Sequence, residues 1–366
     1  MACGNNGMGN RQKQGDDSMA GKIIINGRFL TRRITGVERY AGEILGELDK
    51  LVTPGTYMLA VPCYAENVPR YGNIETVRVG RLGGIAWEQV SLPRYVAGRK
   101  GMLLNLCNTA PFRDPGIVCV HDMKVRAKPE FFGWKFRIWY LFLFRNIFCR
   151  ARAVLTVSEF SRSEILKYYP HIRAKTYVIP NGWQHYQRIG HDEKCLARYG
   201  LEPGNYYFSM GSLEKNKNFR WVLEVACRNR KEIFAVAGGA NGSVFSRQYK
   251  TEVPPNVRFL GYVSDGEAKT LMRDCKGFLF PTIYEGFGIP PLEAMSAGAE
   301  AVVSDTEVMH EIYGDAAHYI DPMDYEADLS KIMTEISPEK KKEVLDKYSW
   351  KKSAKLLKKV CEICNG

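Results

Sequence analysis

The chain has 366 residues, enough for two domains of ordinary size, and its composition of 45% hydrophobic and 25% charged residues is that of a globular protein. Its net charge of +12 suits nucleic acid, an anionic membrane surface or a phosphate-bearing substrate as partner. No helix-turn-helix, zinc-finger or ribonucleoprotein motif accompanies the charge, so we expect no nucleic-acid partner. No apolar run reaches the roughly 20 residues that cross a bilayer.

The N-terminus and the cysteines indicate the compartment. Residues 1–21 are rich in Gly, Asn, Gln and charge, and they lack the apolar segment of a signal peptide. Ten scattered cysteines lie mostly in apolar surroundings, which is typical of reduced core residues. We therefore predict a cytoplasmic protein in which residues 1–21 are a disordered tail or begin upstream of a start at Met19.

Seven short apolar runs in the first half predict strands. They span residues 22–27, 57–61, 75–79, 102–106, 115–122, 153–158 and 176–182. After the first strand, Thr35, Gly36 and Val37 open a helix that we expect to run to about residue 51. His121 and Asp122 form a polar pair at the end of the fifth strand, where parallel strands line the cleft of an α/β sheet. A core histidine bonded to the backbone is the alternative interpretation of His121.

The segment 131–152 combines aromatic residues with lysine and arginine. It is too polar to cross a membrane, but it could lie among lipid headgroups with its aromatic residues inward. Packing against the N-terminal sheet is favoured, because apolar residues cover nearly all sides of the predicted helix.

The second half repeats the alternation of strand and helix. Its predicted strands span residues 206–211, 233–237, 257–261, 277–281 and 301–304. Alternation in both halves predicts two doubly wound parallel sheets. We place the first domain at 22–185, the second at 186–345, and a basic C-terminal helix at 346–366.

The segment 284–295 is the most informative of the chain. A buried strand leads into a loop with Gly286 and Gly288, and two prolines then open a helix. A glycine loop before a helix N-terminus is an anion site, because unpaired N–H groups and the helix dipole face the same point. Glu285 and Glu293 flank this loop, and since carboxylates repel phosphate, we expect them to face hydroxyl-rich groups beside it.

These residues carry a resemblance to a known family. E-G-F-G-x-P-x-L-E-A-M, from Glu285 to Met295, resembles the E-x7-E signature of retaining glycosyltransferases of family 4 (glycosyltransferases group 1, mannosyl- or rhamnosyltransferase-like). S-E-F-S-x-S-E from Ser158 and V-I-P-N-G from Val178 are similar to the same family. The resemblance implies the GT-B fold, in which two Rossmann-like domains face a central cleft and a C-terminal helix often crosses back to the first domain.

The resemblance also covers a polar loop of the second half. G-S-L-E-K-N-K-N, which starts at Gly211, resembles the family loop G-T-L-E-x-R-K-N, whose basic residues bind pyrophosphate. It implies donor-binding roles for Gly211, Ser212, Asn216 and Lys217. Asn216 stands where the family usually has Arg, so one of two cations is missing unless Lys215 or another base replaces it.

Further roles follow from the same resemblance. It implies that Glu285 lies beside the donor sugar, that Glu293 binds the ribose, and that His121 lies near the donor sugar. Together with Lys217, whose ammonium would stabilise the leaving diphosphate, His121 and Glu285 form the predicted catalytic set.

Backbone and acceptor contacts complete the predicted site. We expect the backbone N–H groups of Gly286, Phe287 and Gly288 to contact phosphate. The first loop, Thr35 to Val37, is placed with Asp122 on the acceptor side, although a simple tight turn would explain the same glycine.

The resulting functional hypothesis is a retaining transferase. It would move a hexose or deoxyhexose from a GDP-, dTDP- or UDP-sugar to a polysaccharide or lipid-linked acceptor in bacterial cell-surface glycan synthesis. We expect no cofactor and no metal, because no D-x-D motif follows a strand. We also expect peripheral association with an anionic membrane surface, from the charge and the 134–145 segment.

Three other classes compete with this hypothesis, and the last of them is a nucleic-acid binder, which a steep salt dependence of binding to random duplex would support. A nicotinamide or flavin enzyme would need G-x-G-x-x-G after an early strand, and neither Gly27 nor Gly36 begins that spacing. A catalytically weak GT-B protein that binds a sugar nucleotide and acts through partners remains open, because of Asn216 and of Glu300, where the family usually has Pro.

Overall fold

The computed structural model describes residues 21–99, 101–212, 214–238 and 253–365. The predicted tail, except for Gly21, lies outside these ranges. Two parallel sheets form the molecule, one from each half of the chain.

The N-terminal sheet has seven described strands, all paired in parallel in the order β3-β2-β1-β4-β5-β6-β7. The strands are β1 (Ile23–Asn26), β2 (Tyr57–Pro62), β3 (Glu75–Val79), β4 (Met102–Asn105), β5 (Ile117–Cys119), β6 (Ala153–Thr156) and β7 (Lys175–Val178). Strands β1, β2, β4, β5 and β6 are buried along their whole length. Continuous apolar runs of this kind are what a sheet covered on both faces requires.

Helices connect these strands. They are α1 (Gly36–Asp49), α2 (Gly84–Ala86), α3 (Leu92–Ala97), α4 (Lys124–Ala127), α5 (Trp134–Arg150) and α6 (Glu159–Tyr168). A single π-helical turn, Trp87–Ser91, joins α2 to α3.

The C-terminal sheet has six described strands in the order β10-β9-β8-β11-β12-β13. The strands are β8 (Tyr206–Met210), β9 (Ile233–Ala237), β10 (Val257–Gly261), β11 (Gly277–Phe280), β12 (Ala301–Ser304) and β13 (His318–Ile320). The helices are α7 (Cys195–Tyr199), α8 (Phe219–Arg228), α9 (Asp265–Arg273), α10 (Ile289–Ser296), α11 (Glu307–Tyr313), α12 (Leu329–Ile332), α13 (Pro338–Lys347) and α14 (Trp350–Asn365). In both sheets the strand order reverses beside the first strand, which is where α/β proteins bind ligands.

The chain crosses between the two halves twice, and the two crossovers are joined to each other. Trp183 donates from its indole to the carbonyl of Leu345 (2.8 Å), and Gln184 donates to the carbonyl of Tyr348 (3.1 Å). After the second crossover, α14 lies against the N-terminal half. Ser353 donates to the carbonyl of Pro180 (2.6 Å), and Asn365 donates to the carbonyl of Gly21 (2.5 Å).

Helix α5 has two different halves. Leu143, Phe144, Ile147 and Phe148 are buried, as core packing requires. The first part of this helix is not packed in this way: Trp134 is 66% exposed, and Phe136, Ile138 and Phe142 are exposed with it. The expectation of core packing is therefore wrong for this half. Among the described residues, no helix is long and apolar enough to cross a membrane.

Candidate active site

The loop between β11 and α10 lies where the two halves meet. A Cβ atom at Gly286 would come within 2.3 Å of the carbonyl oxygen of His121, so only glycine permits this contact. The carbonyl of Gly286 accepts hydrogen bonds from the hydroxyls of Ser158 (2.6 Å) and Ser161 (3.1 Å) at the start of α6. Gly286 thus docks the glycine loop onto the N-terminal half.

The loop then turns into α10 as the sequence predicted. Gly288 is the N-cap residue with φ of +86°, a left-handed conformation that favours glycine. Two prolines occupy the first turn, and no side chain caps the helix. Phe287, one of the predicted donor-binding residues, has its ring buried edge-on against Tyr348, so only its backbone could serve a ligand.

Lys217 and Glu285 form an ion pair beside this loop. Lys217 Nζ lies 2.8 Å from Glu285 Oε1, and both side chains are partly open to solvent. The ammonium also lies 5.3 Å from the centroid of the Phe280 ring. Asn216 is buried, and its amide donates to the carbonyl of Tyr284 (3.3 Å) and to Glu285 Oε1 (3.4 Å). The residue that replaces the family's Arg therefore holds the Glu285 segment in place.

Gly211 and Ser212 begin the same loop. Gly211 donates from its backbone to Ala237 (3.1 Å), and a Cβ atom there would lie 3.5 Å from the Lys217 side chain. Ser212 is exposed at the cleft end of β8. Both residues therefore lie on the loop that carries Lys217.

A second ion pair crosses between the halves. Lys124, at the start of α4, lies 2.7 Å from Glu214 of the Lys217 loop. Burial would lower the pKa of Lys124, but Asp122 and Glu214 outweigh it and raise that pKa. Burial would raise the pKa of Glu214, and Lys124 outweighs it and lowers that pKa. Asp122 also accepts from the backbone N–H of Lys124 (2.8 Å) and so fixes the start of α4.

His121 is a buried, neutral histidine at the centre of the contact. Its Nε2 donates to the carbonyl of Leu106 (2.8 Å), and its ring lies edge-on to Tyr40. Burial lowers the pKa of His121. Its backbone N–H donates to Asn108 (2.7 Å), and its carbonyl faces Gly286. The backbone-bonded interpretation describes these contacts, and a role of His121 beside a donor sugar stays a prediction.

Glu293 is the deepest carboxylate of the predicted set. It is buried, and its Oε1 accepts from His185 Nε2 at 2.8 Å. On the other side of the imidazole, Trp350 donates from its indole to His185 Nδ1 (3.1 Å). His185 is not among the residues predicted from the sequence. The available signal was a histidine three residues after Gly182 of the P-N-G turn, where the chain leaves the first half.

The first loop faces this same region. Thr35 is the N-cap of α1 and forms a capping box with Glu38, whose carboxylate accepts from the Thr35 backbone (3.3 Å) and hydroxyl. A Cβ atom at Gly36 would lie 4.0 Å from Ile289 of α10. The carbonyl of Val37 accepts a hydrogen bond from the thiol of Cys107. Thr35, Gly36 and Val37 thus lie opposite the start of α10.

A buried polar network lies at the cleft end of the N-terminal sheet. Arg28 pairs with Glu88 Oε2 (3.0 Å), and Asn26 and Thr109 donate to Glu88 Oε1 (2.9 and 2.8 Å). Asn26 also donates to Asn105 (2.9 Å). Burial raises the pKa of Glu88 more than these hydrogen bonds lower it. Glu88 lies in the π-helical turn, a feature often found at functional sites.

No cluster that could hold a metal occurs in the ranges that the structure describes: no three His, Cys, Asp or Glu side chains come together in that way.

Several solved structures share the fold of this one. Sucrose-phosphate synthase from Thermosynechococcus elongatus matches with a TM-score of 0.71 at 14% identity, covering 93% of this chain and 98% of that one. WaaG, a glycosyltransferase involved in lipopolysaccharide biosynthesis, matches with a TM-score of 0.68 at 15% identity, covering 94% and 100%. Anabaena HepE in complex with UDP-glucose matches at 0.67 and 13%, covering 93% and 99%. Two parallel-sheet domains around a cleft, as in these structures, are the GT-B fold.

Family models assign the chain to a family within this fold. The model of glycosyltransferase family 4 matches residues 34–184, and that of glycosyl transferases group 1 matches residues 196–359. The chain therefore belongs to the GT-B glycosyltransferases of this family, as the E-x7-E resemblance implied.

Curated relatives agree with that assignment. The O-antigen chain mannosyltransferase RfbU of Salmonella typhimurium is 29% identical over 82% of this chain and 87% of its own length. O-antigen chain mannosyltransferase B of Escherichia coli is 29% identical over 62% of this chain and 63% of its own. The match thus spans somewhat less than two thirds of the length of this Escherichia coli protein.

Proposed function

We propose that the protein transfers a mannose- or rhamnose-like sugar from a nucleotide sugar to a polysaccharide or lipid-linked oligosaccharide in bacterial cell-surface glycan synthesis. One observation carries this proposal: Lys217, Glu285 and the Gly286 loop lie together at the contact between the halves, against His121. The names of the two O-antigen mannosyltransferases and the UDP-glucose of HepE support the sugar class and the donor class.

The reaction breaks the bond between the anomeric carbon and the diphosphate oxygen and forms a bond from that carbon to an acceptor hydroxyl oxygen. The hydroxyl proton passes to the departing nucleoside diphosphate. Negative charge grows on that diphosphate, so catalysis needs cations and N–H dipoles directed at it. In our proposal Lys217 and the backbone of 286–288 supply them. Glu285 then exchanges its contact with Lys217 for hydroxyls of the donor sugar.

We further propose that the anomeric configuration is retained and that no metal is needed. For retention, the acceptor would attack from the face of the sugar that the diphosphate leaves. In this proposal Thr35, Gly36, Val37 and Asp122 contact the acceptor. Product stereochemistry by NMR tests retention, since an inverted product would contradict it. Undiminished turnover in excess chelator tests metal independence.

The first experiment is a thermal-shift screen with UDP, GDP, dTDP, ADP and CDP. A nucleotide present at about 100 times its Kd stabilises the folded protein by about 2.7 kcal/mol. We expect one nucleotide to act and Glu293→Ala to lose the shift. Turnover with the corresponding nucleotide sugars then separates the enzyme from a weakly active GT-B protein, which would bind the nucleotide without transfer.

We also propose that α5 attaches the protein to an anionic membrane surface. Its exposed large apolar residues are Trp134, Phe136, Ile138 and Phe142, and Lys135 and Arg137 stand between the first three of them. Apolar side chains beside cations suit the boundary between headgroups and acyl chains.

Co-sedimentation with vesicles containing anionic lipid tests this attachment. We expect binding at low salt that a Trp134→Ser, Phe136→Ser variant loses. The matched control is Met323→Ser, which removes an equally exposed apolar side chain after β13. Equal binding by all three proteins, or none by the wild type, would contradict the attachment.

A further inference from the structure

Three buried side chains from distant parts of the chain form a linear hydrogen-bonded series. Trp350 donates to His185 Nδ1 (3.1 Å), and His185 Nε2 lies 2.8 Å from Glu293 Oε1. All three are more than nine-tenths buried. Trp350 opens α14 after the second crossover, His185 lies in the first crossover, and Glu293 lies on α10.

The chemistry of the three groups fixes where the proton lies. An indole nitrogen can only donate, so His185 Nδ1 must be the acceptor in the contact with Trp350. The hydrogen of the imidazole is then on Nε2, which points at the carboxylate. The position of Trp350 thus selects the tautomer that donates to Glu293.

Glu293 Oε1 is held in this way, so its second oxygen has a defined direction. A carboxylate held by a histidine at one oxygen loses the freedom to rotate about its terminal bond. Arg39 brings a positive charge near this position: burial would lower the pKa of Arg39, but the carboxylates of Glu293 and Asp265 outweigh burial and raise that pKa.

We propose that His185 is a positioning residue that presents Glu293 to the ribose hydroxyls of the donor, with Trp350 setting its tautomer; this rests on the proposed function. The double crossover between the domains is then part of the donor site. Gln184 supports this arrangement, since it accepts from the Trp350 backbone (3.0 Å) and donates to the Tyr348 carbonyl (3.1 Å).

The test compares two ligands by calorimetry: the nucleoside diphosphate that binds wild-type protein best in the screen, and its 2′,3′-dideoxy analogue. Wild-type protein should prefer the ribose form by about tenfold or more, as expected for hydrogen bonds to a charged group. His185→Ala should bring that preference close to one. His185→Gln, whose amide can donate from the Nε2 position, should restore most of it.

A matched pair of tryptophan variants tests the tautomer. Trp350→Phe removes the indole donor to His185 and should reduce the ribose preference severalfold. Trp183→Phe removes an indole donor from the same pair of crossovers without touching the series, and it should leave the preference unchanged. For His185→Ala, we expect the donor KM to rise while kcat at saturating donor stays within about twofold, because the leaving diphosphate is stabilised elsewhere.

An unchanged ribose preference in His185→Ala, or equal loss in the Ala and Gln variants, would overturn the inference. So would equal behaviour of the two tryptophan variants. If His185→Ala does not fold, the Gln variant and the tryptophan pair decide. Wild-type protein that binds none of the five nucleotides would overturn the proposed function instead.

Discussion

The cleft end of each sheet carries an ion pair, but one pair is buried and the other is partly exposed. At the N-terminal sheet, Arg28 and Glu88 are almost fully buried and their polar atoms are bonded to one another and to neighbouring amides and hydroxyls. At the C-terminal sheet, Lys217 and Glu285 are partly open, and each has capacity left for a ligand. The first pair is a fixed part of the fold, and the second is the one that a donor would replace under the proposed function.

This difference has a physical basis. Removing one member of a buried ion pair leaves the other charge without solvation, and this lowers the stability of the folded state by several kcal/mol. A partly exposed pair is screened by water, so its loss costs little stability. The same comparison predicts which substitutions act on the folded state and which act on turnover.

The largest effect is expected for Glu88→Ala. It leaves Arg28 buried without a counter-ion and removes the acceptor of Asn26 and Thr109, so the free energy of unfolding should fall by about 3–5 kcal/mol. Urea denaturation measures this change. Glu88→Gln keeps an oxygen for Asn26 and Thr109 and should lose less. A change below about 1 kcal/mol for the alanine variant would show that the network is not structural.

Lys217→Ala should act on the reaction. Removing one group that stabilises developing charge typically lowers kcat by about 10²–10³-fold, while the loss of a partly exposed ion pair should cost under about 1 kcal/mol of stability. Steady-state kinetics and a melting curve check both. Lys215→Ala, at an exposed position of the same loop, is the control. Similar losses for both lysines would remove the distinction between them.

Gly286→Ala tests the contact between the two regions. The new Cβ would meet the His121 carbonyl at 2.3 Å, so the docked loop must shift at a cost of about 1–3 kcal/mol. Gly42→Ala is the control, because a Cβ there meets no atom within 4 Å, and alanine should stabilise α1 by roughly 0.5–1 kcal/mol. Thermal unfolding that places both variants on the same side of wild type would be evidence against this packing.

The smallest effect concerns pH. Because burial lowers the pKa of His121 in the folded protein, the unfolded chain binds its proton first. His121 therefore costs no stability above about pH 6.5, and stability falls as the pH drops below that value. The slope of unfolding free energy against pH between 6.5 and 5 should be shallower for His121→Asn. An unchanged slope would assign the pH dependence to other groups.

Local patterns could predict much of the fold and part of the site. The runs around Gly286 and Gly288 are contiguous, so strand, glycine turn and helix could be recognised together, and the structure has them in that order. The roles assigned to Lys217, Glu285 and Glu293 stay predictions until a ligand is bound. The two sheets follow from the alternation of strands and helices.

Contacts between distant residues could not be predicted in this way. His185 and Glu293 are 108 positions apart, and Trp350 and His185 are 165 apart. Arg28 and Glu88 are separated by 60, and no spacing rule joins them. The prediction that the whole of α5 packs in the core was also wrong in part, because aromatic residues on all sides of a helix do not indicate which side faces solvent.

The N-terminus of α6 is capped by side chains from both halves of the protein. Glu311 of α11, in the other half, accepts from the backbone N–H groups of Glu159 (2.8 Å) and Phe160 (2.7 Å). Ser158, in the same half as α6, accepts from Ser161 (3.0 Å). Of the two caps, only the one from Ser158 is independent of the contact between the halves. A separation of the halves would leave the N–H groups of Glu159 and Phe160 to water, whereas the Ser158 cap would stay, so such a movement would not require a turn of α6 to unwind.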